Sequence, residues 1–132
     1  MLKSFSFWAC LAASCAISSA SFSAPVRPQD VYVIDGDTID VEGQRYRLVG
    51  FDTPETWKPK CNFELQLGKQ ATARLRTLVT SGQILEINIL PGKDKYGRGL
   101  AKLLVGGADV GDILRDEGLA RSYTGGKRQE WC

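Results

Sequence analysis

The run Val31-Tyr32-Val33-Ile34-Asp35-Gly36-Asp37-Thr38-Ile39-Asp40-Val41-Glu42-Gly43-Gln44-Arg45-Tyr46-Arg47-Leu48-Val49-Gly50-Phe51 holds three extended segments divided by two turn signals. Val31 to Ile34 is a short apolar strand, and Asp35-Gly36 between apolar runs predicts a type I′ hairpin turn. Thr38 to Val41 alternates weakly, Glu42-Gly43-Gln44 is a second turn, and Arg45 to Phe51 is a third strand. This part of the chain therefore reads as a three-stranded meander.

Downstream, Thr53-Pro54 breaks the extended pattern, and a polar loop runs through Lys60. Glu64 to Thr80 is helical, because Leu67, Ala71, Leu75 and Leu78 fall on one stripe, and Ser81-Gly82 ends it. Ile84 to Leu90 alternates as a half-buried strand, Pro91 to Gly99 is a charged loop, and Leu100 to Val105 is a further strand closed by Gly106-Gly107. A shorter helix spans Asp109 to Glu117, with Val110, Ile113 and Leu114 inward and Gly118 just past its end. Three strands, a helix, two strands and a helix give a mostly β, α+β fold. The expected architecture is a five-stranded OB-type Greek-key β-barrel, with a helix between strands 3 and 4 and a second helix near the C-terminus. Such barrels often bind oligonucleotides, but a fold does not settle a function.

Upstream, Lys3 is the only charge before Arg27, and an apolar stretch through Ala13 gives way to small residues. Residues 1–23 thus read as a secretory signal peptide, with cleavage expected near Ala20 to Ser23. Residues 24–30 read as a Pro-bearing linker, and 31–132 as one domain. Cys10 and Cys15 would leave with the leader. Cys61 and Cys132 would remain, most simply as one disulfide in an exported chain, the other reading being two free thiols. The expected location is secreted or periplasmic, with no membrane span after leader removal.

Net charge is only +2, so any electropositive surface must arise by clustering. The chain has no histidine, which excludes His acid–base chemistry, His metal ligation and Ser-His or Cys-His nucleophiles. Three polar clusters remain: Asp35-Gly36-Asp37-Thr38; Arg47 through Asp52-Thr53-Pro54-Glu55-Thr56; and Asp94-Lys95-Tyr96-Gly97-Arg98-Gly99. Each alone passes for an ordinary turn or solvated loop. Together they supply hard oxygen donors in Asp37 and Asp52, suited to Ca²⁺ before Mg²⁺. They also supply two guanidinium forks in Arg47 and Arg98, and a spare carboxylate in Glu55 that could take a proton from water. Phosphodiester hydrolysis needs such a set.

These three segments, in this order, with the later Leu114 and Glu117-Gly118-Leu119-Ala120, resemble the signature of the staphylococcal nuclease (thermonuclease-like) family. The resemblance covers nearly all of the chain after the leader. It implies a Ca²⁺-dependent hydrolase, a phosphodiesterase or endonuclease acting on DNA and/or RNA. Asp37, Asp52 and the Thr53 carbonyl would ligate Ca²⁺, Glu55 would be the general base, and Arg47 and Arg98 would hold the scissile phosphate. Lys95 and Tyr96 would contact a terminal phosphate, and Tyr123 stands near the position of a base-stacking tyrosine. A monomer with no stable protein partner is expected. Two other readings use the same groups: an OB-type module that binds single strands or a protein without cutting, and a metal-dependent phosphatase of small phosphates.

Overall fold

A computed structural model describes residues 12–15 and 23–132. The expected leader and its cleavage site lie almost entirely outside the described residues. Ala24–Pro25 forms a two-residue strand, β1, and Pro28–Asp30 a single 3₁₀ turn. β2 (Val31–Asp35), β3 (Thr38–Val41) and β4 (Gln44–Leu48) follow as the meander, and β5 (Gly50–Asp52) leaves it. Then come α1 (Asn62–Val79), β6 (Leu85–Lys93), β7 (Gly99–Val105), β8 (Ala108–Asp109), α2 (Val110–Asp116) and β9 (Arg121–Tyr123).

The strands form a seven-stranded sheet in the order β1-β6-β7-β4-β3-β2, with β8 paired to β7, and a two-stranded sheet of β5 and β9. All pairings are antiparallel except β4 with β7, where Arg47 lies opposite Leu100. Among the described residues no ladder joins β2 to β6, so the sheet is a curled half-barrel. The protein is therefore a mixed α+β molecule, a half-barrel sheet with two helices. Residues 24–30, expected to be a linker, instead contribute β1, because Ala24 and Pro25 pair with Ile87 and Glu86.

Two local expectations change. The first hairpin turns at Gly36-Asp37, with Asp35 opposite Thr38, one residue later than Asp35-Gly36. An irregularity between Val33 and Asp35 shifts the register, and the Asp35 carboxylate accepts the Asp37 backbone N–H at 3.0 Å. The left-handed pair belongs to the second hairpin, where Glu42 and Gly43 have φ of 50° and 79°. The third strand also splits. Leu48 ends β4, Val49 donates its N–H to the Ala101 carbonyl at 3.0 Å, and Gly50 at φ 92° turns the chain into β5. That turn buries Phe51 and sends Asp52 toward Asp37.

The core lies between the concave sheet and the helices, with Ile39, Leu48, Phe51, Leu75, Leu103, Val110 and Leu114 almost fully buried. The buried face of α1 runs through Gly68, Ala71, Leu75 and Leu78, while Leu67 is only half-buried. Gly68 is there for proximity: a Cβ would stand 2.7 Å from the Pro54 carbonyl oxygen and 3.1 Å from that of Glu55. The helix is thereby seated against the backbone of the loop that carries Glu55. Among the described residues no helix is long and apolar enough to cross a membrane.

Candidate active site

Every polar residue singled out from the sequence as catalytic, ligating or substrate-binding lines one cleft of about 1150 Å³, apart from Thr53, whose buried side chain lies behind it. The second hairpin strand brings Asp37 and Arg47 together, because Thr38 pairs with Arg47 and the Leu48 N–H donates to the Asp37 carbonyl at 2.8 Å. Asp37 and Asp52 are buried, with only 7% and 5% exposure. Asp37 Oδ2 accepts the Thr53 backbone N–H at 3.1 Å, which ties the first hairpin to the exit of β5.

Arg47 compensates both carboxylates. Its Nη2 lies 3.3 Å from Asp37 Oδ2 and 3.3 Å from Asp52 Oδ1, and it donates to the Phe51 carbonyl at 3.0 Å. Its Nη1 donates to the Leu48 carbonyl. A second guanidinium arrives from the chain end. Arg128 Nε donates to Asp52 Oδ2 at 2.9 Å, Nη2 to the Thr53 carbonyl at 3.1 Å, and Nη1 to Glu55.

The third cluster approaches from the β6–β7 loop. Asp94 Oδ1 accepts the backbone N–H groups of Tyr96 and Arg98, each at 2.9 Å, and Arg98 Nε donates to Asp94 Oδ2 at 2.6 Å. Arg98 Nη1 reaches Thr38 Oγ1 at 3.5 Å, and that hydroxyl donates to Asp37 Oδ1 at 3.2 Å. Polar contacts therefore run without a break from Arg98 through Thr38, Asp37, Arg47, Asp52 and Arg128 to Glu55. Lys95 and Tyr96 sit at the rim, with the Lys95 ammonium 5.1 Å from the Tyr96 ring centre. Tyr123 closes the far side, 6.0 Å from the Arg47 guanidinium, and donates its hydroxyl proton to the Gly126 carbonyl at 2.6 Å.

The acids titrate unequally. Burial, and then the Asp37 charge beside it, push Asp35 up to about 7. Burial acts upward on Asp37 too, but the Arg47 charge and the hydrogen bonds from its neighbours outweigh it and hold Asp37 below the ordinary carboxylate range. Burial raises Asp52 despite the opposing pull of Arg128.

Cys61 and Cys132 form a disulfide with Cα atoms 6.0 Å apart. The sequence reading placed Asp35 in the first polar cluster without a role, and it missed Arg128 and Trp57 as members of the cleft. Arg128 had one usable signal: it lies close before Cys132, so a bridge to Cys61 would draw it back toward the Glu55 loop. Trp57, 73% exposed, carried no pattern.

Sheet topology and cleft together define a half-barrel protein with an acid–arginine centre. Residues 45–130 match the model of the staphylococcal nuclease homologue family. The chain is 45% identical over 95 residues to endonuclease YncB of Bacillus subtilis, covering 67% of this chain and 44% of that protein. It is 45% identical over 95 residues to a thermonuclease of Staphylococcus intermedius, covering 68% and 55%. It is also 30% identical over 116 residues to the succinoglycan biosynthesis protein ExoI of Rhizobium meliloti, covering 85% and 60%. The protein belongs to the staphylococcal nuclease homologue family. It spans roughly half the length of YncB and of this thermonuclease. Arg47, Asp52, Thr53, Glu55, Arg98 and Arg128 lie within the matched segment, and Asp37 lies just before it.

Proposed function

We propose that this protein is an exported nuclease that hydrolyses phosphodiester bonds of DNA or RNA with a bound Ca²⁺ ion. The observation that carries the reading is the unbroken polar chain from Arg98 to Glu55, which gathers two phosphate-binding forks, two buried carboxylates and a proton acceptor in one cleft. The relatives named endonuclease and thermonuclease support it, as does the disulfide for export. We read β2, β3, β4, β6 and β7 as the five strands of an OB-type plan, with α1 between the third and fourth.

The residues fit a hard cation. Asp37, Asp52 and the Thr53 carbonyl present only oxygen, and the guanidinium on Asp52 and Thr53 shows that these oxygens face a positive charge. Among the described residues no group of three or more His, Cys, Asp or Glu side chains is arranged as a metal site. The proposed seat draws on the Thr53 main-chain carbonyl as well as the two acids. When bound, the cation supplies Lewis-acid polarisation of the phosphate.

The chain's own groups do the rest. Arg47 and Arg98 grip the phosphate and offset the charge that grows on its oxygens in the transition state. Glu55 orients the attacking water and accepts its proton. Lys95 and Tyr96 meet a terminal phosphate at the rim, while Tyr123 offers a ring to a base.

The test is digestion of single-stranded DNA, duplex DNA and RNA by the oxidised protein, with Ca²⁺ and with chelator. Cleavage should require Ca²⁺, and Glu55→Gln should lower kcat by about 10²–10⁴ while the circular dichroism stays unchanged. Full cleavage in chelator would overturn the metal assignment. Binding of strands without cutting would favour the alternative of a non-catalytic module.

A further inference from the structure

Arg128 belongs to none of the roles above, yet it is bonded to more of the proposed centre than any substrate-facing residue. All three of its side-chain nitrogens are engaged: one on Asp52, one on the Thr53 carbonyl, one on Glu55. Two of those partners are ligands of the proposed metal seat and the third is the proposed base. A guanidinium and a divalent cation seated on the same oxygens stand close enough to repel, so each weakens the other's hold on Asp52 and the Thr53 carbonyl.

The chain around Arg128 is held so that this placement costs little ordering. Upstream, the Gly126 carbonyl accepts the Tyr123 hydroxyl at 2.6 Å. Downstream, Arg121 donates to the Glu130 carbonyl at 2.7 Å and lies 3.8 Å over the ring of the buried Trp131. Cys132 is bonded to Cys61. The backbone is therefore fixed on both sides of residue 128 while its side chain stays 37% exposed. Arg47 differs. Its side chain is 14% exposed, and carbonyls of its own strand and of Phe51 hold it independently of the two acids.

We propose that Arg128 is the built-in cation of the metal seat, a positioning residue that holds Asp52, the Thr53 carbonyl and Glu55 in line and must leave them when a divalent cation binds. The inference rests on the reading of Asp37, Asp52 and Thr53 as that seat. It assigns the two arginines on Asp52 opposite fates. Arg47, on Oδ1, stays in place, and Arg128, on Oδ2, yields. Departure of Arg128 also frees Glu55 from its ion pair, so cation binding and release of the proton acceptor become one event.

The test is calorimetric titration of the oxidised full-length protein with CaCl₂ in the absence of nucleic acid, alongside Arg128→Gln and Arg128→Lys. Arg128→Gln should bind Ca²⁺ about tenfold more tightly or better, the worth of one charge-assisted hydrogen bond that no longer has to be broken. Arg128→Lys, a point charge without the fork, should fall between. Melting curves give a second readout. Without Ca²⁺ Arg128→Gln should melt below the parent, and saturating Ca²⁺ should close that gap, because only the parent sacrifices contacts on binding. An unchanged or weaker Ca²⁺ affinity in Arg128→Gln would overturn the inference and leave the seat standing. Binding by none of the three proteins would overturn the seat and the inference together. Hydrolysis, measured separately, reports on the nuclease reading itself.

Discussion

The corner made by β3, β4 and β5 and the tail of residues 124–132 each deliver an arginine to the same carboxylate, and they are ordered by different means. The corner is built from ladders: Thr38 faces Arg47, Leu48 is hydrogen-bonded to Asp37, and Ile39, Leu48 and Phe51 are buried in the core. The tail contains no helix or strand. It is fastened at separate points, by the Tyr123 hydroxyl, by the Arg121 side chain and by the disulfide. A ladder makes each contact depend on its neighbours, so the corner holds or fails as a unit. A set of point attachments can be undone one at a time, and a segment held that way can carry a group that moves.

Breaking the covalent attachment should have the largest effect. Cys61 and Cys132 are 71 residues apart, and closing such a loop is worth up to about 4 kcal/mol by the chain-entropy relation. Cys132→Ser should lower stability toward that bound in urea denaturation. A loss of a few tenths would show that the side-chain attachments alone order the tail. Next is Arg47→Met, which leaves two buried acids without their shared cation and should cost about 3 kcal/mol or more. Smallest is Arg128→Met, at about 1 kcal/mol, since this side chain is more exposed and water can replace it on Asp52. Equal losses at Arg47 and Arg128 would erase the contrast between corner and tail.

How much of this could be read from the sequence follows the same division. The meander, α1 and the β6–β7 pair were legible because hydrophobic periodicity is local and each turn carries its own Gly or Pro. Asp37, Arg47, Asp52 and Glu55 were legible as a cluster because one hairpin and its exit bring them close along the chain. The turn at Gly36-Asp37 was misplaced by one residue, since a register shift between Val33 and Asp35 leaves no mark in an apolar pattern. The break at Val49 was hidden too, because Val49 and Phe51 both suit a strand and the pull comes from Ala101, far along the chain. Arg128 meets partners 73 to 76 residues away. No periodicity reports such a contact. Only the reading of a Cys61–Cys132 bridge bore on it.

Cys61 stands at a branch point of the covalent graph. It precedes the first residue of α1, its sulfur accepts the Glu64 N–H at 3.5 Å, and it is bonded to Cys132. The bridge therefore closes residues 61–132 into a ring that contains α1, α2, β6, β7 and the tail. The turn bearing Asp37 and the strands bearing Arg47 and Asp52 hang outside that ring on a single thread, and the thread is the loop that carries Glu55. One severed peptide bond within the ring leaves a single covalent molecule. One severed bond between Thr53 and Lys60 parts the protein into two pieces, with Asp35, Asp37 and Asp52 on one and Arg98 and Arg128 on the other. The segment nearest the chemistry thus lies outside the part of the chain whose continuity the bridge guards.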